Sequence, residues 1–273
     1  MGAPVLINIG CGAVHHPAWL NLDSNPAHAD VTRWDVRLGL PVEAGRADAC
    51  YASHVLEHLT RDCAVGLLAE CHRALRPGGT LRLVVPDLEA IVRHYLRLLE
   101  SADAGAAEAQ SDYDWILLEL FDQMVRTESG GDMHRILASV DVRERKFVKE
   151  RMGLKGEPAV ADGHGQESPV RPGLDHYWRR IREEATASFA QLLMGRGARA
   201  AVREGLFRAS GQVHLWMYDR FSLRRLFERN GFVDVIKCTA IESRIPEFAQ
   251  YQLDTAGERV RKPDSLFMEG RKR

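Results

Sequence analysis

The sequence predicts an α/β protein in which short buried strands alternate with amphipathic helices. Two observations carry this expectation. The apolar run Val5-Leu-Ile-Asn-Ile9 stops at Gly10-Cys-Gly12. Further on, a helical pattern over 60–75 is broken by Pro77-Gly78-Gly79 ahead of the branched run Thr80–Val85.

Residues 4–9 read as the first core strand. Only Ala13–Trp19 separate its glycines from a second strand around Leu20–Asp23, so the connection is short for a βα unit. Ala49–Ser53 reads as the fourth strand. Thr60 is a good N-cap for a helix over 60–75, whose apolar face is Ala64, Leu67, Leu68, Cys71 and Leu75. Thr80–Val85 has the composition of a central strand. Asp87 then caps a helix to 99 with Leu88, Ile91, Val92, Tyr95 and Leu99 on one face. After Glu100 the composition turns rich in Ala, Glu and Asp. Ile116, Leu117, Leu120, Phe121, Met124 and Val125 mark another amphipathic helix, and charged helical segments follow over 133–152 and 176–204. Residues 156–173 carry glycines, prolines and no periodicity, which reads as a loop. Residues 101–213 are therefore a helical insertion between 1–100 and 214–273, and Gly130-Gly131 offer it a place to flex. Ser222 is the expected cap of a last helix ended by Asn230-Gly231, with closing strands near 233–240 and 265–271. No internal repeat is present.

Composition narrows the function. With 37 basic and 38 acidic residues among 273, the net charge of −1 supplies no global attraction to nucleic acid or an anionic membrane. The five cysteines are odd in number and form no Cys-x-x-Cys pair, which fits a reduced cytoplasmic setting. No apolar run approaches the roughly 20 residues that span a bilayer, and no signal peptide precedes the first strand. A small-molecule partner is the expectation, with no nucleic acid and no membrane; the oligomeric state stays open.

Glycine is needed where a chain turns tightly and its N–H groups approach a ligand. A carboxylate at the end of the following strand, Asp23, is well placed to accept from the two hydroxyls of a ribose. The series continues through Trp34-Asp35-Val36, Ser53-His-Val-Leu-Glu-His-Leu59 and Leu75-Arg-Pro-Gly-Gly-Thr-Leu81. In this order the motifs resemble class I S-adenosylmethionine-dependent methyltransferases. Within them they resemble the type 11 small-molecule group associated with sugar and cell-surface polysaccharide biosynthesis. Trp216–Leu223, Asn230-Gly-Phe232 and Lys262–Glu269 resemble that family's last helix and final strands. The resemblance implies a Rossmann-like methyltransferase sheet of seven strands, the last antiparallel, flanked by helices, with 101–213 as a helical lid. It also implies that Asn8, Gly10, Cys11, Gly12, Asp23, Asp35, Val36, Ser53 and His54 bind S-adenosylmethionine. Gly10 and Gly12 would pass under its methionine end, so a side chain at Gly10 should occupy cofactor space. Asp35, in preference to Asp30, and the Val36 backbone would meet the adenine. Asn8 stands where the family often has an acidic residue.

His54-Val-Leu-Glu57-His58 also matches the His-x-x-Glu-His zinc signature of inverted zincins. The strand leading into His54 places it instead at a strand's carboxyl end, where open α/β sheets bind ligands. Some relatives bind a divalent ion through Glu-x-x-Glu-His here, but His54 replaces the first glutamate, and no metal is expected. In the insertion and after it, Gln123, Arg126, Met133, Trp216 and Tyr218 suit a pocket that stacks on a ring and hydrogen-bonds its hydroxyls. Histidine is the natural base for a hydroxyl near neutral pH, so His54, His58, His134 and His214 are unranked candidates. The expected function is methyl transfer to a hydroxyl of a sugar or related metabolite. The alternative is a catalytically inactive, cofactor-binding regulatory subunit; an RNA substrate is disfavoured by the missing basic stripe.

Overall fold

A computed structural model describes residues 3–139, 141, 145–153 and 174–273. Four apolar strands form the centre of the sheet: β1 (Leu6–Ile9), β2 (Leu20–Asp23), β4 (Ala47–Ser53) and β5 (Leu75–Pro86). The short β3 (Thr32–Arg33) flanks β2. Two closing strands follow, β6 (Phe232–Cys238) and β9 (Ser265–Lys272). The order is β3-β2-β1-β4-β5-β9-β6, with β9 antiparallel to both neighbours and the pairs from β3 to β5 parallel. This is the seven-stranded Rossmann-like methyltransferase sheet. A two-stranded hairpin, β7 (Thr255–Ala256) with β8 (Arg259–Val260), lies in the β6–β9 connection and had no sequence signal.

Alternation along the strands sends residues to two different covers. On one face Ile7, Ile9, Leu81, Leu83 and Met268 pack under α1 (Arg61–Ala74) and, through Leu223 and Phe227, under the helix before β6. The other face presents Leu6, Tyr51, Val84 and Phe267. With no helix between β1 and β2, this face is covered by Ile245, Phe248 and Leu253 from the β6–β9 connection, together with Trp19. Burying each such side chain contributes about 1.5–3 kcal/mol.

Buried charge fastens that second cover. Arg82, 0% exposed on β5, donates to Asp254 Oδ2 at 2.8 Å, Glu269 Oε1 at 2.8 Å and the Thr239 carbonyl at 2.7 Å. Its guanidinium lies 4.6 Å from the Phe248 ring centre. Tyr51 Oη donates to the other Asp254 oxygen at 2.5 Å.

Between β5 and β6 the described residues form the helices α2 (Leu88–Asp103), α3 (Ala107–Val125), α4 (Gly131–Leu137), α5 (Lys146–Met152), α6 (Leu174–Met194), α7 (Arg196–Ala209) and α8 (Arg220–Arg229). Several expected boundaries are corrected. The helix expected over 60–75 ends at Ala74, and Leu75 already pairs with Ala47 in the sheet; Pro77 disfavours a helical Arg76, so the chain leaves the helix early. The helical segments expected over 133–152 and 176–204 hold, among the described residues, α4 and α5 in the first and α6 and α7 in the second. Gly195 breaks the second at φ +88°. The cap of α8 is Asp219, not Ser222. The Asp219 carboxylate accepts from the Phe221 and Ser222 N–H groups at 2.8 Å, and Ser222 Oγ accepts in return from the Asp219 N–H at 3.0 Å. Asp87 does cap α2, accepting from the Ala90 N–H at 3.1 Å. The expected loop over 156–173 lies outside the described residues.

Gly130 and Gly131 have a packing reason to be glycine. Both have positive φ, and a Cβ on Gly130 would fall 2.7 Å from His134 Cβ. A Cβ on Gly131 would strike the buried Asp122 carboxylate, which accepts from the Asp132 N–H at 2.8 Å and so holds the start of α4.

Candidate cofactor and acceptor site

Gly10 (φ +62°) and Gly12 (φ +55°) turn the chain out of β1, and the Gly10 and Cys11 N–H groups donate to the Leu22 carbonyl at 2.7 and 3.1 Å. Asp23 ends β2 beside them. One of its oxygens accepts from the Gly12 N–H at 2.8 Å and the other from the Asn25 N–H at 2.8 Å. A carboxylate offers about four acceptor positions, so Asp23 retains capacity for a diol. The Cys11 thiol is pushed up to about 12 by burial and by the Asp23 and Asp30 charges, so it stays protonated.

Asp35 caps the 3-10 turn Val36–Leu38, and Arg37 grips both its oxygens, at 2.9 Å through Nε and 2.7 Å through Nη2. Those hydrogen bonds hold its pKa below the usual value despite partial desolvation. The competing Asp30 instead meets His15 Nε2 at 3.0 Å.

A pocket opens at the carboxyl ends of β1 and β4. Asn8, Gly10, Cys11 and Ser53 line it, facing Asp254, Arg261 and Lys262 from the β6–β9 connection. Asn8 is 1% exposed. Its Nδ2 donates to the Val14 carbonyl at 3.1 Å and to Asn21 Oδ1 at 3.0 Å, whereas its own Oδ1 is buried without a partner among the described residues. An orphaned buried acceptor beside a glycine turn fits the ammonium of an amino-acid-bearing cofactor.

After Ser53 the chain turns sharply, with His54 at φ +54°. This left-handed residue swings its ring between Glu57 Oε1, 3.0 Å from Nδ1, and Ser265 Oγ, 2.9 Å from Nε2. Glu57 is 0% exposed. Burial opposes its ionisation, yet the adjacent His54, with His214 and His58, holds it down at about 2. His58 Nδ1 donates to the Val213 carbonyl, 3.2 Å away, and the ring packs edge-on against His214 with ring centres 4.8 Å apart. Burial drives His214 down to about 3, with Glu57 opposing, so its imidazole is neutral.

The backbone of 213–218 is stitched into this corner. The Leu215 N–H donates to the Glu57 carbonyl at 2.6 Å, and the His214 N–H donates to the Gln123 carbonyl at 2.9 Å. Gln123 and Arg126, at the end of α3, thereby stand beside His214, and Arg126 donates to the Gln212 carbonyl. Met133 accepts from Gln123 Nε2 at 3.5 Å and packs with Trp115 and Val148. Trp216 is 40% exposed under the Arg61 guanidinium, 4.8 Å from its ring centre. Tyr218 belongs to the main core; burial and the Glu57 charge raise its hydroxyl to about 12. His134 is exposed on α4 against Gly130, apart from this corner.

Three of the four candidate bases thus converge on Glu57. Glu57, His58 and His214 each place a ligand atom within 4.8 Å of the others, a set with the chemistry to hold a divalent ion. Sequence reasoning did not find Arg261, Lys262, Asp254 or Arg82. Their only local signal was the charge of Arg261-Lys262 beside a turn.

Residues 7–83 match the methyltransferase-domain family Methyltransf_11. Among curated proteins, none matches the chain. A SAM-dependent methyltransferase from Archaeoglobus fulgidus is similar over 99% of this chain and 87% of its own, at 11% identity and TM-score 0.39. One from Thermotoga maritima is similar over 100% and 84%, at 10% identity and TM-score 0.38. The complex of the Haloferax volcanii Trm112 methyltransferase activator with a methyltransferase is similar over 98% and 82%, at 10% and 0.38. The strand order is that of a Rossmann-like methyltransferase fold, and residues 7–83 are similar to a methyltransferase domain. The cofactor that this similarity supports is S-adenosylmethionine.

Proposed function

We propose that the protein methylates a hydroxyl of a small acceptor, a sugar or related metabolite, and that the imidazoles around Glu57 take up the proton. The observation that carries this is the fully buried Glu57 carboxylate among His54, His58 and His214, directly after the pocket residue Ser53. The bound cofactor supplies a methyl already activated on sulfonium sulfur. What remains for the chain is to align the acceptor and accept its proton. A carboxylate of depressed pKa offsets the positive charge on whichever imidazole becomes protonated. Gln123, Arg126 and Trp216 offer polar and stacking contacts on the acceptor side, with Met133 behind Gln123 and the Tyr218 ring in the core. Asp23 takes the ribose, Asp35 and Val36 the adenine. Residues 101–213 act as the lid that carries α3 to the site. The near-zero net charge and the resemblance to a sugar-associated group support a small polar acceptor.

Calorimetry should give one S-adenosylhomocysteine site per chain, weakened about tenfold or more in Asp23→Ala. A panel of hydroxylated sugars, followed by cofactor demethylation, should contain a substrate whose turnover falls about 100-fold or more in Glu57→Gln. Turnover of that substrate unchanged in Glu57→Gln would overturn the assignment of the cluster. Binding without turnover of any acceptor would favour the regulatory reading.

A further inference from the structure

We propose that Arg261 binds the carboxylate at the methionine end of S-adenosylmethionine, while Asn8 Oδ1 accepts from the neighbouring ammonium. The proposal rests on the cofactor reading above and adds a subsite from a segment outside the matched residues 7–83. Arg261 and Asn8 line the same pocket, together with Gly10 and Ser53. A glycine turn and a strand end are where backbone allows a ligand close approach.

The two groups are complementary to a zwitterion. Among the described residues Asn8 Oδ1 is a buried acceptor with no donor, although its Nδ2 makes two hydrogen bonds. A buried amide oxygen without a donor is destabilising unless a ligand completes it. Arg261 donates from Nε to the Gln252 carbonyl at 3.1 Å, and its N–H donates to the Asp254 carbonyl at 2.9 Å. Its terminal nitrogens carry no hydrogen bond or ion pair among the described residues, which leaves them for a carboxylate.

The position of Arg261 is not left to a mobile side chain. It follows directly on β8, whose Val260 pairs with Thr255 of β7. Asp254, one residue before β7, is fixed by Tyr51 at 2.5 Å and by Arg82 at 2.8 Å, all within the buried network. On its outer side the same stretch packs against the end of α5, where a Cβ on Gly153 would fall 3.0 Å from the Arg261 carbonyl. The cation is therefore pre-positioned by the β7–β8 hairpin and the Asp254 network that anchors it, and ordering it on binding costs little.

Three probes separate the parts of this proposal by calorimetry: S-adenosylhomocysteine, its analogue lacking only the carboxylate, and 5′-methylthioadenosine, which lacks the whole amino-acid end. Arg261→Ala should weaken S-adenosylhomocysteine about tenfold or more and leave the other two within about twofold, with Arg261→Lys between. Unchanged binding of 5′-methylthioadenosine also shows that the variant is folded. Equal weakening of all three probes, or of none, overturns the role of Arg261. In the unaltered protein the decarboxylated analogue should bind more tightly than 5′-methylthioadenosine; equal affinities overturn the role of Asn8. If the unaltered protein binds none of the probes, the cofactor reading fails instead.

Discussion

Val55 occupies the space that a side chain at Gly10 would need: a Cβ built on Gly10 falls 2.5 Å from Val55 Cγ2. The glycine turn after β1 is thus packed against the turn that follows β4. Gly12, two residues on, has nothing within 4 Å of a built Cβ. The two glycines of one motif answer to different constraints: the first is set by packing, whereas the second faces open space among the described residues.

Gly10→Ala should therefore destabilise the protein by about 2 kcal/mol or more, through overpacking and a positive φ. Gly12→Val should cost only the backbone strain, about 1–2 kcal/mol, while weakening S-adenosylhomocysteine about tenfold. Denaturant unfolding and calorimetry on both variants decide this. A Gly10→Ala protein of normal stability would contradict the packing.

Stability should fall on mild acidification. The folded-state pKa of His214 is lowered from 6.5 to about 3, chiefly by burial, so the unfolded chain takes up the proton first. This stabilisation is complete above pH 6.5 and is lost between there and about pH 3. Glu57, lowered from 4.5 to about 2, adds a loss that begins below pH 4.5. Between about pH 6.5 and 4.5 the His214 contribution approaches about 1.4 kcal/mol per pH unit. His214→Gln should flatten that slope; an equal slope in variant and parent would show that His214 is not held neutral.

Arg82→Met should be among the most damaging single changes, at about 3–5 kcal/mol, because it strands the Asp254 and Glu269 carboxylates in the interior. The loss should be visible in thermal unfolding at neutral pH. Replacing all three charges together with apolar residues should cost less than Arg82→Met alone.

Extensive chelation should leave S-adenosylhomocysteine affinity within about twofold, since Asn8, Asp23 and the glycine turn need no ion to bind. Turnover should survive chelation as well. Activity that vanished and returned with a divalent cation would instead make Glu57, His58 and His214 metal ligands.

Much of the framework was legible along the chain. Val5–Ile9 ending at glycine, Leu20–Asp23, the Thr60-capped helix and Asp87 all appear where local pattern placed them. Each depends on neighbours within a few residues, through pleat alternation, helical periodicity or a cap. Errors fell where two local signals competed, as at Ser222, where the aspartate three residues earlier is the better acceptor.

The sequence by itself determined the strand and helix pattern and the order of the motifs. It also supplied the residue types with the right chemistry, from the glycine turn to the histidines after β4. Only the tertiary structure decided which of those residues meet. It brings His214 to Glu57 and leaves His134 exposed; it orphans Asn8 Oδ1 and sets Arg261 opposite. It covers the face left bare by the missing β1–β2 helix with residues from the β6–β9 connection. Arg82 and Asp254 are 172 positions apart, and Arg82 and Glu269 are 187 apart. No local pattern selects one carboxylate among many at that separation. Burial does, because a charge removed from water must find its partner inside the fold.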